Sequence, residues 1–315
     1  MVASACYWSF FAAAMLAATP LAAQEALPVA AGKPWVHAHS GITIPAALDE
    51  LPRVRATSFA APELDVSQNF ASDDGRESLT VYIFRDTNGA VPVWFAQAVR
   101  AIALREDLKA PPYGIAPVAF VPPGQSVASG LKAVFAPVGV EGVRSTGIAL
   151  FAVNGWYVKL RANSATLAPD DLSGWMEGIL SELTLPRGAP AAAVQPVADC
   201  GPGLNFPAAA ADAVAATTAP APRLTAARWC LDSVVAGNQA VYRPDGARDR
   251  YLLAAGDNGK GFAVQPQAGR YSIDFINAGQ TFLMAAQDRM PTPQRVLDLV
   301  KAGRATGTVT TWPKP

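Results

Sequence analysis

Apolar and polar positions recur along this chain with two different periods, and the switches between them outline its elements. Over residues 77–85, Leu79, Val81 and Ile83 fall on one side of an extended segment and Tyr82 and Phe84 on the other, so both faces are covered and the segment reads as a central strand. Residues 35–44, 53–59 and 64–71 read as three earlier strands, separated by proline or Asp-Asp-Gly turns. The period then changes: a helix is predicted over 91–105, with Pro92 near its first turn and Phe95, Ala98, Val99 and Ile102 in one stripe against the sheet.

Asn154-Gly155 between two apolar runs is a strong hairpin signal, because both residues tolerate the positive φ of a type I′ turn. Pairing outward sets Val153 opposite Trp156, Phe151 opposite Val158 and Ala149 opposite Leu160 on a core face. Ala152 with Tyr157, Leu150 with Lys159 and Ile148 with Arg161 make an amphipathic second face. A closing helix starts near Pro169, with Asp170 and Asp171 where the helix dipole favours negative charge, and Leu172, Trp175, Met176, Ile179 and Leu183 form its buried stripe. Gly174 and Gly178 beside that stripe read as exposed glycines, the alternative being a close approach of the C-terminal part of the chain.

Residues 187–222 are rich in Ala, Pro, Val and Thr and read as a linker. Beyond them, strands are predicted over 227–235, 239–243, 250–255, 261–264, 271–277 and 280–286, joined by tight turns into an antiparallel meander. One helix follows, with Thr292 as N-cap, Pro293 at the first position, Val296, Leu297 and Val300 facing inward and Gly303 at its end, and a strand over 306–312 closes the sheet. The fold class is therefore α+β, with two domains, each a mainly antiparallel sheet with one or two covering helices: residues 34–187 and 223–315, with 188–222 between them.

Residues 1–24 carry no charge, and the apolar run ends in small residues at Ala22-Ala23, which reads as a signal peptide spanning 1–23. No Lys or Arg follows Met1, which leaves an uncleaved anchor or a wrongly chosen start codon as alternatives. Cys6 precedes the apolar run and lacks the context of a lipid attachment site. No later segment holds enough consecutive apolar residues to span a membrane. Signal removal leaves Cys200 and Cys230, and an exported chain with two cysteines points to one disulfide. Closing that loop would restrict the unfolded chain by roughly 3–4 kcal/mol in the loop-entropy account. A free reactive thiol beside Trp229 is the rival reading.

The 315 residues include 25 Lys+Arg, 25 Asp+Glu and 2 His, with 51% apolar residues, which supplies a large core and no concentrated cationic face. That argues against nucleic-acid binding and polybasic membrane association. Residues 25–190 carry 13 basic and 16 acidic groups and residues 191–315 carry 12 and 9, small opposite excesses that could help the halves dock.

The order of strands and helices in the first half resembles the PsbP-like α/β/α sandwich. Trp35, His37-Ala38, Ser40-Gly41-Ile42, Pro45, Val81-Tyr82-Ile83-Phe84 and Trp156-Tyr157-Val158-Lys159-Leu160-Arg161 resemble a group of uncharacterised exported bacterial proteins. The resemblance covers about half the chain and implies a fold, an exported location and a small accessory or binding role. It carries over no functional residue.

Candidate chemistry is sparse. His37 and His39 at i, i+2 would share a face of a strand and could join a carboxylate in holding Zn²⁺ or Cu²⁺, but no third ligand lies nearby in sequence and no metal is expected. Gly124-Gln125-Ser126-Val127-Ala128 only half matches a nucleophile elbow. Gly256-Asp257-Asn258-Gly259-Lys260-Gly261 lacks the spacing of a phosphate loop, and Asp73-Asp74-Gly75-Arg76-Glu77 lacks the ligand pattern of a calcium loop, so both read as turns. Tyr157, Lys159 and Arg161 line one strand face and could hold an anionic ligand; the alternative is that their stems cover the sheet with their heads in water.

The sequence thus points to an exported, periplasmic or secreted protein, without cofactor or catalytic residues, that binds a small ligand or another envelope protein. A carboxylate-dependent hydrolase acting on an envelope component is the rival, and a purely structural partner of a membrane complex a third reading. A deep cleft holding two convergent acids would favour the hydrolase, and a shallow apolar surface between the domains would favour binding.

Overall fold

The computed structural model describes residues 24–188, 191–206, 208–213 and 217–313, so the expected signal peptide over 1–23 lies outside the described residues. In the first half the strands are β1 (Glu25–Ala26), β2 (Trp35–Val36), β3 (Thr43–Ile44), β4 (Ala47–Leu48), β5 (Leu51–Ala60), β6 (Asp65–Ala71) and β7 (Glu77–Arg85), then helix α1 (Val91–Ala103), β8 (Tyr113–Phe120), β9 (Gly130–Phe135), β10 (Ser145–Val153), β11 (Trp156–Ser164) and helix α2 (Pro169–Glu182). The second half has β12 (Ala198–Asp199), β13 (Trp229–Ala236), β14 (Gln239–Pro244), β15 (Tyr251–Ala254), β16 (Gly261–Gln267), β17 (Arg270–Ile276), β18 (Gln280–Met284), helix α3 (Pro293–Lys301) and β19 (Ala305–Thr310). Sheet dominates, as an α+β chain of antiparallel meanders should.

The first sheet runs β1-β5-β6-β7-β11-β10-β9-β8, with β4 added to β5, and β7 is central in it as its two apolar faces predict. The Asn154-Gly155 turn sets the expected register of β10 and β11, from Val153 opposite Trp156 out to Ser145 opposite Ser164. The second sheet is an eight-stranded meander in chain order, β12 to β19. Its first strand lies parallel to β13, and the Cys200–Cys230 disulfide, with Cα atoms 4.8 Å apart, fastens the returning connection there.

Three sequence expectations are corrected. Residues 35–44 are two short strands folded back on each other, with Gly41 at φ +74 in the turn between them. Two backbone hydrogen bonds cross this turn, from the His37 N–H to the Ile42 carbonyl and from the Gly41 N–H to the His37 carbonyl. In α3, Val296 and Leu299 face inward while Val300 is 43% exposed. Thr292 does cap that helix, accepting a hydrogen bond from the Arg295 N–H. The third correction concerns the second face of β11, where Tyr157 and Lys159 are buried.

The layers explain that burial. Helix α2 lays Leu172, Met176 and Ile179 on the face of the first sheet that carries Val81, Ile83, Val158 and Leu160. Nothing approaches Gly174 or Gly178, so the second half does not pack on those glycines, and among its described residues only Ala278 and Trp312 reach the edge of this core. The second half docks mainly on the opposite face, where Trp94, Phe95, Ala98 and Ile102 of α1 share one core with Phe135, Ile148, Leu150 and Tyr157 of the first sheet and Ala240, Tyr242, Leu252 and Ala254 of the second. A third core lies beyond the second sheet, where Leu253, Val264 and Ile273 pack with Val296 and Leu299 of α3. Helix α1 is thus sandwiched between the two sheets, and its turn is tightly built: at Gly89, with φ +64, an added Cβ would meet the Trp94 indole nitrogen at 2.8 Å.

Gln97 joins the layers in the middle of that core. Its amide donates to the Asn238 carbonyl at 2.8 Å and the Gly256 carbonyl at 3.1 Å, and its oxygen accepts from the Tyr242 hydroxyl at 3.0 Å. All three partners belong to the second half. Gln97→Ala strands them in a dry core, and a loss of about 2–4 kcal/mol is expected in urea unfolding. A change below roughly 0.5 kcal/mol, the range of ordinary surface substitutions, would show that the bridge contributes nothing.

Candidate functional site

The seam between the halves gathers buried charge, with Asp65, Arg85 and Lys159 all at most 8% exposed. The turn between β15 and β16, which carries the Gly-Asp-Asn-Gly-Lys-Gly motif, lies against the first sheet beside Arg85, Phe84 and Thr87. Asp257 reaches Lys159, with its carboxylate 2.8 Å from the ammonium, and its backbone carbonyl accepts a second hydrogen bond at 3.1 Å. The same ammonium lies 4.6 Å from the centre of the Tyr82 ring and 5.5 Å from that of Phe84, where the ring faces favour a cation. Asn258 donates to Asp65 at 2.7 Å. Of the strand row Tyr157, Lys159 and Arg161, it is Lys159 that bonds a carboxylate, that of Asp257, while the Tyr157 hydroxyl donates to the Asn88 carbonyl.

The two carboxylates of the seam are driven apart in acidity. Burial pushes Asp65 up to about 6, against the pull of Asn258, Lys260 and Lys159. Burial would also raise Asp257, but Lys159, by charge and by hydrogen bond, and Arg161 outweigh it and hold Asp257 below the usual carboxylate range. On the far side of the seam Arg223 pairs with Asp86 and also donates to the Gly89 carbonyl at 2.9 Å. The cross-seam ion pairs thus run in both directions, so the small net charges of the halves do not decide the docking.

At one end of the seam the aromatic residues converge. His37 is fully buried; its Nε2–H donates to the Glu63 carbonyl at 2.8 Å while the Ser40 hydroxyl donates to Nδ1 at 2.7 Å. Burial lowers its pKa to about 4, with the nearby His39 adding to the effect and the Glu63 bond opposing it, so the ring is neutral at neutral pH. His39 donates to the Pro62 carbonyl at 2.7 Å and stacks on Trp156. Trp312, just past β19, stands edge-on to His39 with centroids 4.8 Å apart and lies 6.0 Å from Trp156. The Arg85 guanidinium sits 5.0 Å from the Trp312 ring centre and donates to the Ala278 carbonyl at 2.6 Å and the Thr311 hydroxyl at 3.2 Å.

Beside Trp312 opens a shallow cleft of about 350 Å³, formed by the β5–β6 turn, the β17–β18 turn, the end of β19 and Lys260. No Asp or Glu lines it. A second seam cleft of about 310 Å³ lies at the start of α1, with Asp86, Arg223, Tyr157 and Trp229 in its wall. Neither Asp65 nor Asp257 lines either cleft.

The remaining motifs are structural. His37 and His39 sit in the β2–β3 turn with both Nε2 atoms on carbonyls, and among the described residues no group of three His, Cys, Asp or Glu is placed to hold a metal. Ser126 lies in the β8–β9 loop at the rim of a cleft of about 580 Å³, and neither histidine is bonded to it. Asp74 accepts from the Ser72 hydroxyl and the Arg76 N–H, which makes the Asp-Asp-Gly segment a turn. Sequence reasoning missed Arg85, Asp65 and Trp312. The available signal was a lysine between apolar Val158 and Leu160 of a strand, which requires a carboxylate from elsewhere if its second face is covered.

Removing one partner of the buried pair leaves the other uncompensated, so Asp257→Ala should cost about 3–5 kcal/mol. Adding Lys159→Met should restore more than half of that loss; equal, additive losses in a double-mutant cycle would show that the two groups are not coupled. A raised folded-state pKa means stability that is complete below about 4 and is lost as pH rises through about 6. Asp65→Asn, which can still accept from Asn258, should therefore stabilise the protein at pH 7–8, by about 2–3 kcal/mol, with the advantage gone by pH 4. His37 acts oppositely, losing stability as pH falls from 6.5 to about 4, and cancels in that comparison. A constant wild-type-to-variant difference from pH 4 to 8 would contradict the Asp65 assignment. No protein-family profile, curated protein or solved structure matches the chain.

Proposed function

We propose that this chain is an exported, non-enzymatic binding or accessory protein of the cell envelope, which engages a small ligand or another envelope protein at the seam between its sheets. The observation that carries this reading is the division of labour there: the seam carboxylates are engaged inside the protein, while the cleft that opens beside Trp312 has an apolar wall without an acid. The disulfide supports an oxidising compartment. No helix among the described residues is long and apolar enough to cross a membrane. Helices α1 and α2 on opposite faces of the first sheet support the resemblance to a PsbP-like α/β/α sandwich.

The hydrolase reading keeps one observation in its favour, since Asp65 and Asp257 have acidities pushed apart as in an acid–base pair. Asp65 is 2% exposed, so a substrate would have no route to it. Chromogenic glycosides, esters and peptides incubated with the purified protein should show no turnover above buffer. Turnover that disappears in a well-folded Asp65→Asn variant would replace the binding reading with the enzymatic one.

A further inference from the structure

We infer that the cleft beside Trp312 binds a compact amphipathic anion, with its acidic group on Lys260 and its apolar body against Trp312, Phe59, Pro62 and Leu64. The inference deepens the binding reading above and rests on it. Its first support is charge. Lys260 lines the cleft, its ammonium has no hydrogen-bonded or ion-paired partner among the described residues, and the wall contains no carboxylate to neutralise it. The acid behind it, Asp65, attracts this ammonium but is buried and already bonded to Asn258, and it does not line the cleft.

The polar wall points the same way. The Asn277 side-chain oxygen accepts from the Gly279 and Gln280 N–H groups, so this acceptor is spent inside its own turn. The Ala278 carbonyl is likewise taken up by Arg85. With those acceptors occupied and a cation that no side chain of the wall bonds, the cleft favours a ligand that brings acceptors and negative charge.

The apolar wall is held in place before any ligand arrives. Trp312 is fixed between His39, Trp156 and Arg85, which belong to three separate segments of the first half, so little ordering entropy remains to be lost on binding. A volume of about 350 Å³ lies at the small end of ligand pockets, which span roughly 300–1,000 Å³. A short chain or single ring bearing one acid fits that size, and a polymer does not.

Octanoate and octan-1-ol share an apolar body and differ in charge, so the full-length mature protein should be titrated with each at pH 8, followed by calorimetry and tryptophan fluorescence. Octanoate is expected to bind saturably and at least tenfold more tightly than octanol. Lys260→Gln should abolish that preference without weakening octanol more than twofold, Lys260→Arg should keep it, and Trp312→Leu should weaken both probes. Each variant's melting temperature is read alongside, and Lys260→Arg carries the comparison if Lys260→Gln is unstable. Equal affinity for acid and alcohol, an unchanged octanoate affinity in Lys260→Gln, or no saturable binding of either probe would overturn the inference. None of those results produces turnover, so they remain distinct from failure of the binding reading.

Discussion

Helix α1 has almost no side left for water, and covering it requires both sheets. Its buried residues include Val91, Val93, Trp94, Phe95, Ala98, Val99 and Ile102, which surround the helix axis in place of a single stripe. One sheet can cover only one side of such a helix. The second half therefore completes a core that the first half leaves open, and Gln97 places a polar constraint in that core that only atoms of the second half satisfy. The position of the β15–β16 turn, the burial of Lys159 and the location of both seam clefts follow from that packing.

Local chemistry was well expressed in the sequence. The Asn154-Gly155 turn fixed the β10–β11 register residue by residue, and Pro169 and Thr292 marked two helix starts. The meander of the second sheet followed from its short strands and tight turns. Elements whose pattern is set by distant neighbours were not legible. Strand β8 carries Gly114 and Pro117, which break the expected alternation, and Gly114 is there because an added Cβ would lie 2.5 Å from Pro169 at the start of α2. The amphipathic look of the second face of β11 was real, but Lys159 is satisfied by Asp257, 98 positions later, and no local signal announces such a partner.

The site was legible in its parts and illegible in its assembly. His37 and His39 were singled out as possible ligands; His37 packs edge-on to Trp156, and His39 supports Trp312, a tryptophan more than 270 positions later. The Gly-Asp-Asn-Gly-Lys-Gly segment was read as a turn, which it is. Its function as a plug, with Asp257 and Asn258 entering the first sheet and Lys260 left at the cleft, needs the three-dimensional packing to be seen.

The same sandwich sets an order of events during synthesis. The core under α2 is largely built from residues up to Leu183, so the first sheet can close that side as soon as α2 has emerged. The outer side of α1 waits for Ala240, Tyr242, Leu252 and Ala254, and Gln97 waits for a carbonyl 159 positions away. Contacts so distant in sequence form late because the intervening loop must close first. Throughout that interval a tryptophan-bearing apolar surface stands open on a half-finished chain, and that is the stage at which aggregation competes most strongly with folding.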